Sequence, residues 1–405
     1  MKEMTGSMFS SVKENNVDKN RIEKIKKAVT GRKGEIRDFL EALVNQNSYT
    51  YNTEGVKKVA DILAGGMPGG FSRQDVDAGA RFARHVVFTK EGKEARPVVL
   101  IGHMDTLWKP GLPFDRLVEK GDRLIGPAVN DMKAGLTVIV WSLRVLEESG
   151  FLADIPVKVI FNSDEETGSL DSGRIFTGLG KSVSAALVYE GAGEGGTVVT
   201  RRVGITDYSL EVTGVAGHAG LYCEPKSSAL VELAHRIIWL ESLGLGRDKL
   251  SVNAGIAEGG LASNIVPDRA RCLFEIRFWD EKYLNRTLDI IRSSISEPFV
   301  KGCSLRLIDG KYRLPMLQGE PGKRLFGLVS ETASSLGQKI LEEHRNGGSD
   351  ASWFSGQGVA SIDGLGPVGD LDRTEEEYIL TETLYERIEL TANLLVSGDL
   401  YRLAE

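Results

Sequence analysis

Apolar residues recur at helical spacing from Arg21 to Val44, set among many lysines and glutamates, and again from Val56 to Leu63. This predicts two surface helices at the start of the chain. The texture then changes to short continuous apolar runs at Val98 to Ile101, Val157 to Phe161 and Ala185 to Tyr189, with an apolar helical stretch from Leu136 to Leu146 between the first two. Continuous strands alternating with helices predict an α/β sheet covered on both faces. After Arg201 the pattern alternates instead: Tyr208, Leu210 and Val212 are separated by polar residues, as are Cys272, Phe274, Ile276 and Phe278, so one face of this second sheet is solvated. Helical patterns at Ser228 to Leu240 and Tyr283 to Ile295, with strands near Leu250 to Ile256 and Ser304 to Ile308, complete a β-α-β-β-α-β order, that of a ferredoxin-like module. Beyond Pro315 come an apolar helix, a glycine-rich loop at Gly347-Gly348 and a last helix from Thr381 to Leu395.

The expected architecture is therefore a main α/β domain, residues 1–200 and 315–405, with a mixed sheet flanked by helices. Into it is inserted a ferredoxin-like α+β domain, residues 201–314. A length of 405 residues with 41% hydrophobic content suits two or three globular domains. Acidic side chains number 57 against 50 basic, a formal net charge of -7, which argues against nucleic acid as a partner. Cys223, Cys272 and Cys303 are too few for a disulfide framework and show no metal-finger spacing, a usage that fits a reducing compartment. The first twenty residues are polar and charged, without an apolar signal region, and no uninterrupted apolar run reaches membrane-spanning length. Neither secretion nor membrane insertion is expected, and a cytoplasmic location is.

The chemistry-bearing residues fall where strands end. Gly102-His103-Met104-Asp105 follows the first apolar strand, putting an imidazole and a carboxylate two residues apart at the edge where α/β sheets bind ligands. Asp105 is placed to accept the spare ring N–H of His103 and fix its tautomer; alone, the pair also reads as a solvated loop. Gly126 to Gly135 surrounds Asp131 with small residues before an apolar helix, and in isolation Asp131 reads as a helix N-cap. Asp164-Glu165-Glu166 follows the strand Val157 to Phe161. Three adjacent acids repel one another unless a cation intervenes, the plain alternative being an acidic surface loop. Glu190 directly ends the strand Ala185 to Tyr189. One histidine and several carboxylates at successive strand ends suit zinc or another first-row divalent metal. Two bridged ions about 3.5–4 Å apart would absorb this charge and activate a water, so the convergence points to a metallohydrolase.

These segments together resemble the zinc-dependent glutamate carboxypeptidases and their relatives, the acetylornithine deacetylases, succinyl-diaminopimelate desuccinylases and aminoacylases. The resemblance runs from about Arg21 onward and rests on Gly-His-Met-Asp-Thr, Gly-Pro-x-x-x-Asp-Met-Lys-x-Gly, Asp-Glu-Glu-x-Gly and Gly-His-Ala-Gly occurring in that order. It implies that His103 binds one metal, Asp105 orients the site, Asp131 bridges two metals, Glu165 is the general base, and Glu166 and Glu190 are further ligands. It also implies zinc, one or two ions per subunit, with cobalt or manganese as possible substitutes. The inserted domain becomes a lid used for dimerisation, whose His218 reaches the substrate carbonyl in the partner's site and whose Asn264 and Arg277 hold the substrate. Arg277 suits a bidentate grip on a carboxylate, or else pairs with a nearby acid across its strand. Gly347-Gly348-Ser349-Asp350 resembles the family's glycine-rich loop beside the site, while His85, His235 and His344 match no role and are read as structural. The expected activity is hydrolysis of an amide in an acidic dipeptide, an acyl-glutamate or another N-acyl amino acid, in a homodimer whose lid moves as a body about Arg201 and Leu314. Two rivals are an acetylornithine-like deacylase and a catalytically impaired homologue that binds metal or peptide.

The chain departs from this family at one ligand. Relatives close the second metal site with a histidine in a segment like Gly-Pro-Val-Gly-x-x-x-His-[Ser/Thr]-x-x-Glu-Tyr, and here Arg373 stands at the histidine's place. A guanidinium has no lone pair for a metal. A shift of one residue offers Asp372 instead. The expectation is one tightly held metal and a second site that is weak, empty or closed by Asp372, with Arg373 turned away or paired to a carboxylate.

Overall fold

The computed structural model describes residues 19–93, 96–221, 226–246 and 248–403. Cys223 and the polar first eighteen residues lie outside them. The chain divides into two compact units: Met1–Thr200 with Leu317–His344 and Ser349–Glu405, and Arg201–Met316 with Arg345–Gly348. The glycine-rich loop is thus split, with Gly347-Gly348 in the second unit and Ser349-Asp350 in the first.

The first unit is built on a six-stranded sheet in the order Ser72–Val76, His85–Lys90, Val157–Asn162, Val98–His103, Ala185–Val188 and Ala360–Ile362. The two strands at the first edge run antiparallel to their neighbours, and the remaining pairs are parallel. Parallel register brings the carboxyl ends of three apolar strands to one edge: His103 lies level with Asn162, and Ile101 with Val188. Glu190, two residues past Val188, therefore comes out at the level of His103. The helix Ala134–Glu148 is buried on nearly every side, as expected of a helix that is hydrophobic all round. The helix Thr381–Leu395 packs along it. A Cβ on Gly135 would stand 1.9 Å from the Tyr189 carbonyl oxygen, so only glycine lets this helix begin against the strand end that carries Glu190.

Three of the differences between the sequence pattern and the structure in this unit have a plain local cause. The run from Arg21 to Val44 is two helices, residues 19–31 and Lys33–Asn45, broken at Arg32, where Gly31 and Gly34 weaken the helix. Ile25, Val29, Ile36, Leu40 and Leu43 are buried on both sides of the break, so the apolar stripe keeps its phase and hides it. The hairpin Ser72–Val76 and His85–Lys90 and the short strand Ala360–Ile362 carry no apolar pattern long enough to announce them.

The second unit is a four-stranded antiparallel sheet in the order Leu250–Gly259, Arg269–Phe278, Gly204–Thr213 and Ser304–Arg313. Its helices are Ala229–Glu241 and Glu281–Ser294. This is the ferredoxin-like order, and alternate residues of Gly204–Thr213 and Arg269–Phe278 are buried as the pattern requires. Cys272 and Cys303 are free buried thiols here. Among the described residues, no helix is long and apolar enough to cross a membrane.

Candidate metal centre

His103 is buried at the end of its strand, and its two ring nitrogens have separate tasks. Nδ1 lies 2.8 Å from the backbone carbonyl oxygen of Asp105. A carbonyl only accepts, so Nδ1 carries the proton and Nε2 is left to bind a cation. The Asp105 carboxylate, expected as that acceptor, is 3.7 Å away. It is used elsewhere: its oxygens accept from the backbone N–H groups of Glu165 and Glu166, at 3.1 and 3.3 Å, and from the Thr50 hydroxyl at 2.9 Å. Asp105 thus ties the acidic turn to the histidine strand. Burial pushes its pKa up to about 7 against the lowering effect of His103, with Glu165 adding to the rise.

The acidic triplet does not act as one group. Asp164 is buried and turned into its own loop, accepting from the Asp171 and Ser172 backbone and the Ser172 hydroxyl. Glu165 and Glu166 occupy the following short helical turn. Asn162, just before them, donates to buried Asp350 at 2.8 Å, which gives the end of the glycine-rich loop a structural task.

Asp131 lies in an irregular turn ahead of the helix Ala134–Glu148, whose N-cap is Lys133; the N-cap reading of Asp131 does not hold. One Asp131 oxygen stands 3.1 Å from His103 Nε2, and Glu190 Oε1 stands 3.6 Å from the same nitrogen. Among the described residues, His103, Asp131 and Glu190 offer three ligand atoms within 4.8 Å of one another. One imidazole nitrogen and two carboxylate oxygens fit a first-row divalent ion, zinc included. The electrostatics fit as well. Burial opposes a charge on His103, yet Glu190 and Asp131 together hold its pKa well above the ordinary imidazole value. Burial pushes Glu190 up to about 7 against the lowering effect of His103, and burial, then the charge of Asp131, pushes Glu166 up to about 9. The pocket thus holds more negative charge than its own hydrogen bonds stabilise, and a cation restores the balance.

Arg373 and Asp372 enter from the far end of the chain. Arg373 Nη2 donates to Glu166 Oε2 at 3.0 Å, and its Nε lies 3.7 Å from Asp131 Oδ2. Asp372 accepts from the Asn130 side-chain amide at 2.6 Å and is not one of the three clustered donors. A residue to which the sequence motif assigns no task organises this region. Glu377, fully buried, accepts from the backbone N–H groups of Ala128, Asn130, Asp131 and Arg373 and from Trp108 Nε1. It stands at the glutamate of the Gly-Pro-Val-Gly segment's closing Glu-Tyr, as the last of the run Glu375-Glu376-Glu377, whose first two members are exposed.

The second unit carries the other candidates. Gly217-His218 pairs with Ile265-Val266, and the Ala219 N–H donates to the Asn264 carbonyl at 2.9 Å, so His218 and Asn264 share one small ladder. His218 Nδ1 accepts from the Gly220 N–H at 3.1 Å. Arg277 pairs with Glu275 at 2.5 Å and donates to the Asn346 carbonyl. Of the remaining histidines, His85 is buried, accepting from the Ser163 N–H and facing Asp171. His235 packs on Phe299, and His344 is exposed on the strand Glu342–Arg345.

The family model of peptidase family M20/M25/M40 matches residues 99–397. Over 381 residues the chain is 26% identical to carboxypeptidase G2 of Pseudomonas sp. (strain RS-16), covering 91% of this chain and 90% of that protein. A tripeptidase from Staphylococcus aureus superposes with a TM-score of 0.74 at 20% identity, covering 91% of this chain and 99% of the other. Aminopeptidase PepT from Bacillus cereus superposes with a TM-score of 0.72 at 21% identity, covering 89% and 97%. The two structural likenesses establish the fold.

Proposed function

The chain belongs to peptidase family M20/M25/M40, and from that premise we propose that it hydrolyses the amide bond of a C-terminal acidic dipeptide, an acyl-glutamate or a related N-acyl amino acid. The family makes it a metal-dependent peptidase or amidohydrolase. The observation that carries the finer reading is the His103, Asp131 and Glu190 donor set with Glu165 on the adjoining turn. Those three residues would hold the ion, zinc in our reading, and the chemistry it supplies is Lewis acidity towards a carbonyl and a bound water, lowering that water's pKa from 15.7 towards about 7. Glu165 takes the water's proton and delivers it to the leaving amine. Asp105 keeps the Glu165 turn and His103 in register. The likeness to carboxypeptidase G2 over nine-tenths of both chains and an arginine, Arg277, suited to a substrate carboxylate support the acidic side of the substrate.

A panel of acyl-glutamates, C-terminal glutamyl dipeptides and acetylornithine, assayed beside elemental analysis, tests this reading. Turnover of the glutamyl compounds is expected to exceed that of acetylornithine. Cleavage confined to acetylornithine would instead make the protein a deacylase, and full metal loading with no cleavage would make it a binding homologue. The two free thiols, Cys272 and Cys303, support a cytoplasmic setting for this work.

The ferredoxin-like unit is our proposed lid, carrying His218, Asn264 and Arg277 as substrate-facing groups, and a second copy is its partner. Its helix Ala229–Glu241 exposes Leu230, Val231 and Ile238, and the strand beside it, Leu250–Gly259, lies at the sheet edge with Ile256 exposed. An apolar helix face beside an open edge suits pairing with its own copy. Ile238→Glu is expected to shift the protein from dimer to monomer in analytical ultracentrifugation and to lower turnover, because His218 would serve the partner's site. A fully active monomer, in the wild type or the variant, would remove this role.

A further inference from the structure

We infer that each chain binds one divalent metal ion, and that the Arg373 guanidinium permanently fills the place of a second cation. The inference rests on the proposed metal site and concerns how many ions that site holds. Asp131 faces two ways: Oδ1 is directed at His103 Nε2, 3.1 Å away, and Oδ2 lies 3.7 Å from Arg373 Nε. Glu166, almost wholly buried, spends Oε2 on Arg373 Nη2 at 3.0 Å. The guanidinium therefore bridges Asp131 and Glu166 in the way a metal ion bridges two carboxylates, on the side of Asp131 opposite the three-donor set.

Three further features close that position to a metal. Arginine stays protonated and offers no lone pair. Asp372, the neighbouring oxygen donor, accepts from Asn130 at 2.6 Å through one oxygen and lies outside the three-donor set. Leu371 and Arg373 both adopt left-handed backbone, with φ of 63° and 66°, a conformation that non-glycine residues hold only where the surroundings impose it. Here the Arg373 N–H is directed at Glu377, which also anchors the Asp131 turn. Charge also balances with one ion. A dication and a guanidinium carry three positive charges, equal to the three formal negative charges of Asp131, Glu166 and Glu190. A second dication beside the guanidinium would meet direct repulsion.

Zinc content after equilibrium dialysis, read by plasma mass spectrometry, and a cobalt(II) absorption titration of the apo-protein test this without recourse to activity. The wild type is expected to take one equivalent in one step. Arg373→Lys, which keeps the charge, should also take one, whereas Arg373→His, which exchanges the charge for a lone pair, should take two. Two equal steps or none in the wild type, or a single equivalent in Arg373→His, would overturn the assignment. Hydrolysis with two bound ions would leave the proposed function standing without this inference; one bound ion with no hydrolysis would do the reverse.

Discussion

Glu165→Gln is expected to lower kcat by about 10²–10⁴, the range a positioned general base contributes, while metal content stays at the wild-type level. The amide keeps the size of the carboxylate and loses its basicity. The turn should not move, since backbone hydrogen bonds hold it, the Glu165 N–H donating to Asp105 at 3.1 Å and its carbonyl accepting from Gly168 at 2.7 Å, and the substitution leaves both in place. Glu165 is not one of the three clustered donors, so its loss is felt in proton transfer and not in metal affinity. Steady-state kinetics on the best substrate of the panel, with zinc measured on the same samples, separates these quantities. Unchanged turnover would remove Glu165 as the base, and a parallel loss of zinc would make it a ligand instead.

The half of the site that was legible in the sequence is the half carried by strand ends. His103, Glu165, Glu166 and Glu190 each follow a continuous apolar run, and parallel pairing brings such ends to one edge whatever the loops do. The lid strands were legible for a related reason, because alternate burial along Gly204–Thr213 writes itself into the residue types. What stayed hidden depends on contacts between distant segments. Ser72–Val76 is an exposed polar edge strand with no periodicity to read. Asn130 and Asp372, 242 positions apart, form a hydrogen bond that no local pattern encodes. Arg373 was visible as a departure from its relatives, with a carboxylate partner as one of two expectations, but that the partner is Glu166, 207 positions away, was not.

Glu377→Ala should be the most damaging substitution outside the donor set. Its carboxylate accepts from five N–H groups on three segments: Trp108, the Ala128 to Asp131 turn and Arg373. Removing it leaves several of those donors buried without a partner, and at about 1–3 kcal/mol for each unsatisfied group the loss of stability should reach about 3 kcal/mol or more. The Asp131 turn also loses the acceptor for its Asn130 and Asp131 N–H groups, so zinc affinity should fall about 10–100-fold, as when a group that orients a ligand is removed. Burial, then the charge of Asp131, pushes the Glu377 pKa up to about 7, against the lowering effect of the Asp131 and Asn130 N–H groups. The carboxylate is thus held in place by those donors at some electrostatic cost, and Glu377→Gln, which keeps one acceptor oxygen, should fall between wild type and alanine. Glu376, its exposed neighbour, is the control, since Glu376→Ala should stay within about 0.5 kcal/mol of wild type. Urea unfolding and competitive zinc titration of the three variants supply the comparison, and a Glu377→Ala protein as stable and as tightly loaded as Glu376→Ala would show that the Asp131 turn holds its shape without this carboxylate.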